Sequence, residues 1–199
     1  MMYATSMAER EKVDSHAQTD PDLPLLRAMG CGDAAALTEL YQLRGPALLA
    51  YLTARLDDRG LAEEVLQDVM FAAWQSAVRF RGQGRVMAWL LAIARTRAIN
   101  AYHRQVRPHA TQVALDEASA QETAAQEGGE PFGSHNEALR AGLRTLPAEQ
   151  REALELVFYH GLSLKETAQV MSVAVGTVKS RLHRARKHLA KWIMEDEKR

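Results

Sequence analysis

Cysteine is nearly missing from this sequence: Cys31 is the only one. That excludes an intramolecular disulfide and a zinc site built from cysteines. Long apolar runs are absent too, and none approaches the roughly 20 residues of a membrane-spanning helix. The opening residues, MMYATSMAEREKVDSHAQTDPD, lack the apolar segment of a signal peptide. Together these absences predict a cytoplasmic protein with no membrane insertion. Strand-like alternation persists nowhere and no internal repeat is evident, so helical periodicity is the sustained pattern and the chain reads as all-α. Acidic residues vanish altogether between Asp68 and Asp116, a span that holds Arg79, Arg81, Arg85, Arg95, Arg97, Arg104 and Arg107.

The formal net charge of zero therefore conceals segregation. Residues 106–136 carry one Lys/Arg against five Asp/Glu, whereas residues 137–199 carry 12 against 8. Two basic segments flank an acidic one, and each basic segment can face a polyanion.

Residues 1–22 read as a flexible tail. Helical spacing then runs from Leu23 to about His103. A helix is expected from Ala34, broken at Gly45-Pro46 and restarted there, since Pro is well tolerated in a first turn. The next run, LAEEVLQDVMFAAWQSAVRF, places Leu61, Val65, Val69 or Leu66, and Ala73 or Trp74 on one side, with Glu63, Glu64, Gln67 and Asp68 on the other. RGQGR breaks the pattern, because two glycines in three residues disfavour helix. VMAWLLAIARTRAINAYHR resumes it. Residues 106–136 lose periodicity and read as an acidic linker, with an r.m.s. span of roughly 30 Å and a stretched length of about 100 Å. Pro147 marks a helix start and Gly161 a stop, and Ser163 with Glu166 has the form of a capping box.

In GTVKSRLHRARKHL, residues 176–189, Val178, Leu182, Ala185 and Leu189 share one helical face while five Lys/Arg and two His fall among the other positions. A helix, a short turn and a basic helix form a helix-turn-helix, whose second helix enters the major groove. Ala168 is the small residue suited to the crossing. Other chemistry is poorly supported. The seven His are dispersed without metal spacing, RGQG lacks the third glycine of a dinucleotide loop, and no nucleophile elbow is present. Glu63 and Glu64 diverge on a helix and make a poor acid/base pair. No enzyme, metal or cofactor is expected.

LPAEQREALELVFYHGLSLKETAQVMSVAVGTVKSRLHRARKHL resembles region 4 of bacterial sigma factors of the extracytoplasmic-function (ECF) group. LAEEVLQDVMFAAW resembles the part of region 2 that binds the polymerase clamp, and FRGQGRVMAWLLAIARTRAINAYHR the part that melts and reads the −10 element. The resemblance covers about residues 25–105 and 137–192. It implies two small helical domains: region 2 over 23–105, the linker over 106–136, and region 4 over 137–199. It also implies an alternative sigma factor that binds core RNA polymerase and promoter DNA and is controlled by an anti-sigma factor. Lys179, Ser180, His183 and Arg184 would read the −35 element, with Thr177, Arg181, Arg186 and Lys187 nearer the backbone. Phe80, Arg81, Arg85, Trp89, Arg95, Thr96, Arg97, Asn100 and Arg104 would serve the −10 element, cations holding phosphates and Phe80 with its loop shaping a base pocket. Glu63, Glu64, Gln67 and Asp68 would dock on core polymerase. The linker would thread into polymerase channels built for nucleic acid. Thr96 and Asn100 stand where the family often has Asn and Asp, and Ser172 and Ala174 where the turn often has Gly and Pro or Ser, so a slightly different turn is expected. The alternatives on the residues themselves are a free-standing helix-turn-helix regulator, without an evident dimerisation helix, and a protein-binding adaptor, which leaves the basic C-terminal helix unexplained.

Overall fold

The computed structural model describes residues 20–82, 84–106 and 137–196. Among them are eight α-helices and no strand. The N-terminal half holds α1 (Leu23–Gly30), α2 (Ala34–Leu56), α3 (Arg59–Ser76), a 3-10 turn at Ala77–Arg79, and α4 (Val86–Val106). Short acids start two of these helices: Asp33 accepts from the Ala35 N–H at 2.9 Å and Asp58 from the Leu61 N–H at 3.0 Å. The core is aliphatic, built on Leu40, Leu48, Tyr51, Leu52, Val65, Val69, Val86, Leu90 and Leu91. Ala62, Ala73 and Ala94 are fully buried and provide small side chains within that core.

The expected break at Gly45-Pro46 does not occur, and α2 runs through Pro46 as one helix of 23 residues. Leu40 before the proline and Leu48, Tyr51 and Leu52 after it all enter the same core. Burial of that continuous face offsets the roughly 3 kcal/mol that an interior proline costs a helix. The tail reading also ends early. Asp22 is buried and takes a bidentate pair from Arg44 at 2.7 and 2.9 Å, while Asp20 accepts from the Val86 N–H. Of the expected linker 106–136, Val106 instead ends α4, and residues 107–136, like residues 1–19, lie outside the described residues.

The C-terminal half holds α5 (Glu137–Arg144), α6 (Ala148–Leu154), a π-turn at Glu155–Tyr159, α7 (Leu164–Met171) and α8 (Val175–Asp196). α7 opens on the expected capping box: Ser163 accepts from the Glu166 N–H, and Glu166 accepts from the Ser163 N–H at 2.9 Å. It closes at Ser172, which adopts φ 55°, with the Val173 N–H bonded back to the Ala168 carbonyl at 3.0 Å. Ser172 thus takes the left-handed position that glycine usually fills. α8 lies across α5, α6 and α7. At its crossing with α5 a Cβ on Gly142 would sit 2.9 Å from the Trp192 ring, so only glycine fits there without rearrangement. The two halves meet where α4 packs on α7.

Candidate nucleic-acid interface

Val178, Leu182 and Ala185 of α8 are buried and Leu189 is half-buried, which anchors the helix on α5–α7 by the face read from its spacing. That anchoring turns Lys179, Ser180, His183, Arg184, Arg186 and Lys187 outward, all exposed. The Ser180 hydroxyl donates to the Thr177 carbonyl at 2.9 Å. Two members of the set differ from the rest. Thr177 is half-buried, and Arg181 is half-buried and paired with Glu149 of α6. Arg186 leans over the exposed Phe158 ring at 5.7 Å. The free cations of the outer face form a compact positive surface of the kind that neutralises phosphates and makes binding salt-dependent.

The acid-free segment forms a second surface on α4. Arg97, Asn100 and Arg104 are exposed and, with His103, line a recess of about 320 Å³. His103 was not among the expected residues, although its place three residues after Asn100 sets it on the same helical face. Thr96 and Arg81 are exposed, and Thr96 spends its hydroxyl on the Ala92 carbonyl at 3.0 Å. Phe80 and Trp89 are half-buried and tilted together, centroids 5.2 Å apart, so the loop entering α4 carries an aromatic pair. Gln83 within that loop is outside the described residues.

Arg85 and Arg95 behave otherwise. Arg85 donates through Nη1 to the Gly161 carbonyl at 2.8 Å, and its N–H meets Glu166 at 3.2 Å. Arg95 donates to Glu152 at 3.1 Å. Beside them lies a polar cluster that sequence reasoning missed. The Tyr51 hydroxyl donates to Glu152 at 2.8 Å, and Arg55 reaches Glu155 at 3.0 Å and Glu152 at 3.4 Å while stacking on the Tyr51 ring. Burial, the largest single influence, pushes the Glu155 carboxyl up, but the charge and hydrogen bond of Arg55 together with His160 outweigh it and hold Glu155 below the usual carboxylate value. Burial would likewise lower Arg55, and facing Glu155 raises it instead. These partners are about a hundred residues apart in sequence, so no local spacing could announce them.

On α3, Glu63, Glu64, Gln67 and Asp68 are all exposed, with Glu63 in a surface pair with Arg59 at 3.0 Å. Phe71, one turn on and 61% exposed, stands on the same face. It too went unnoticed in the sequence, where an apolar residue in a helix is by default a core residue. Among the described residues no group of three His, Cys, Asp or Glu could hold a metal ion, and no helix is long and apolar enough to cross a membrane.

The comparisons with known proteins match this geometry on both halves. Residues 40–108 match the family model of sigma-70 region 2, and residues 136–189 that of sigma-70, region 4. The chain is 34% identical over 172 residues to the ECF RNA polymerase sigma factor SigM of Mycobacterium tuberculosis, covering 85% of this chain and 83% of that one. It is 30% identical to the ECF RNA polymerase sigma factor EcfG of Rhodopseudomonas palustris, over 76% and 81% of the two chains. Among solved structures, CnrH in complex with the cytosolic domain of CnrY shares the fold, with a TM-score of 0.61, 24% identity, and coverage of 89% of this chain and 99% of that one. The sigma factor RpoE in complex with the anti-sigma factor NepR from Bartonella quintana gives a TM-score of 0.57 at 26% identity, covering 79% and 96%. An all-α chain with an outward cationic helix on one half and an acid-free helix on the other belongs, on these relationships, to the ECF family of RNA polymerase sigma factors.

Proposed function

We propose that this chain acts as an alternative sigma factor in the cytoplasm, with residues 23–105 as region 2, 106–136 as linker and 137–199 as region 4. It catalyses nothing itself; core polymerase supplies the chemistry. In this reading the α8 face of Lys179, Ser180, His183 and Arg184 enters the major groove of the −35 element, and Thr177, Arg181, Arg186 and Lys187 hold its backbone. Arg81, Arg85, Arg95, Arg97 and Arg104 hold the −10 strand, Thr96 and Asn100 lie within reach of its bases, and the Phe80–Trp89 pair offers an unstacked base an aromatic surface. Glu63, Glu64, Gln67 and Asp68 meet basic residues of the polymerase, and Phe71, one turn further along the same face, adds an apolar anchor beside them. An anti-sigma factor holds the protein off, as the related sigma factor RpoE from Bartonella quintana is itself found in complex with one.

The observation that carries this reading is the orientation of α8, with its apolar stripe buried and its cations outward. Reconstitution with bacterial core polymerase and a genomic promoter library tests it. New transcripts should start from sites sharing spaced −35 and −10 elements, and Lys179→Ala or Arg184→Ala should each lower initiation by about 5- to 150-fold, as for loss of a base or phosphate contact worth about 1–3 kcal/mol. Failure to bind core polymerase together with tight binding to a palindromic duplex would replace the sigma factor with a free-standing regulator.

A further inference from the structure

Among the exposed cations on the outer face of α8, one is held differently from its neighbours. Lys179, Arg184 and Lys187 have no partner among the described residues, whereas the Arg186 guanidinium lies over the Phe158 ring, 5.7 Å from its centre. A cation at that distance is attracted to the face of an aromatic ring. Phe158 belongs to the π-turn that follows α6, so the contact is tertiary and does not arise from the spacing of α8 itself.

The π-turn accounts for a phenylalanine standing outside. Ala153, Leu154, Glu155 and Leu156 are buried in succession, and the His160 N–H bonds back five residues to the Glu155 carbonyl at 3.1 Å. The widened turn spends its inward positions on those four residues and then on buried His160, which leaves Phe158 57% exposed and Tyr159 exposed beside it. Single apolar residues on a surface are common. This one carries a cation on its ring and stands against the helix with the cationic face.

The kind of contact decides what Arg186 can still do. Arg181 shows the alternative: paired with Glu149, its charge is balanced and one nitrogen of its fork is taken. An aromatic face takes neither. It attracts the guanidinium through the ring quadrupole and leaves the full charge and the in-plane donors open to a phosphate. It also restrains a long side chain in advance, so less rotamer freedom is lost when a ligand is engaged.

We propose that Phe158 is a positioning residue for DNA binding. Its ring holds the Arg186 guanidinium at the cationic face of α8, prearranged for one backbone phosphate, without neutralising it. This rests on the backbone-holding role proposed for Arg186 above. It gives α8 a preformed phosphate contact among cations that no other side chain restrains.

A double-mutant cycle on the full chain tests it, with binding of a short labelled duplex of random sequence followed by anisotropy over a range of salt. Arg186→Ala should weaken binding and reduce the salt slope by about one phosphate. Phe158→Leu keeps apolar bulk and removes the ring face. It should weaken binding by about two- to five-fold at every salt concentration and leave the slope unchanged. In an Arg186→Ala background the same change should have no effect, and Phe158→Trp, with a stronger ring face, should restore wild-type affinity or exceed it. In the NMR spectrum the Arg186 side-chain protons should be shifted upfield by the ring, and Phe158→Leu should remove that shift.

Wild-type affinity in Phe158→Leu, an equal loss in both Arg186 backgrounds, or an Arg186 signal that Phe158→Leu leaves unmoved overturns the positioning role. Duplex binding that Arg186→Ala does not alter removes the phosphate contact of Arg186 itself, and the inference falls with it. A cycle that behaves as expected in a chain that fails to direct initiation with core polymerase condemns the sigma reading alone.

Discussion

The two halves of this molecule solve the same problem with different means. The N-terminal half has long helices, of 23, 18 and 21 residues in α2, α3 and α4, and an aliphatic core large enough to carry an interior proline. The C-terminal half sets helices of 8, 7 and 8 residues beneath α8 and depends on their ends: a capping box at Ser163, a left-handed stop at Ser172, and a glycine at Gly142 where α5 meets Trp192. Short isolated helices are marginal in water, so each end contributes a larger share of the whole. The half that presents the cationic helix is held by detail, and the other half by bulk.

Truncating a core residue in each half puts the largest effect on that contrast. Leu52→Ala and Leu182→Ala each remove a buried leucine and should cost about 2–5 kcal/mol. Hydrogen exchange should show α2–α4 still protected in Leu52→Ala, while Leu182→Ala loses protection across α5–α8. Equal protection losses in both variants would mean the halves fold as one cooperative unit. Smaller in effect, Ser163→Ala removes the cap of α7 and should cost about 1 kcal/mol in a urea melt, confined to the C-terminal half.

Acid offers the mildest probe, acting on the contact between the halves. Because Glu155 is held below its ordinary value of 4.5 in the folded chain, its contribution is complete above that pH and is lost as pH falls further. Stability in a urea melt should therefore fall as pH drops below about 4.5, and Glu155→Gln should flatten that fall.

Much of this was legible from local pattern. The face of α8 follows from Val178, Leu182 and Ala185 at helical spacing, and the start of α7 from Ser163 and Glu166, since both depend on residues within one or two turns. Pro46 misled for the same reason: local chemistry favours a break there, and only the shared burial of Leu40 and Leu52 on either side keeps the helix whole. Phe71 was hidden because hydrophobicity predicts burial, and nothing in the sequence shows which apolar residue the bundle leaves uncovered.

By itself, the sequence determined the helical class, the cationic face of α8 and the acid-free segment, because these are set by composition and short-range periodicity. Tertiary structure alone decided which cations are free. Lys179, Arg184 and Arg97 remain open to solvent, whereas Arg85, Arg95 and Arg55 are committed to carboxylates or carbonyls brought in from the other half. The physical reason is distance along the chain: a charge's partner across some fifty to a hundred residues is chosen by packing, and no spacing rule reaches that far.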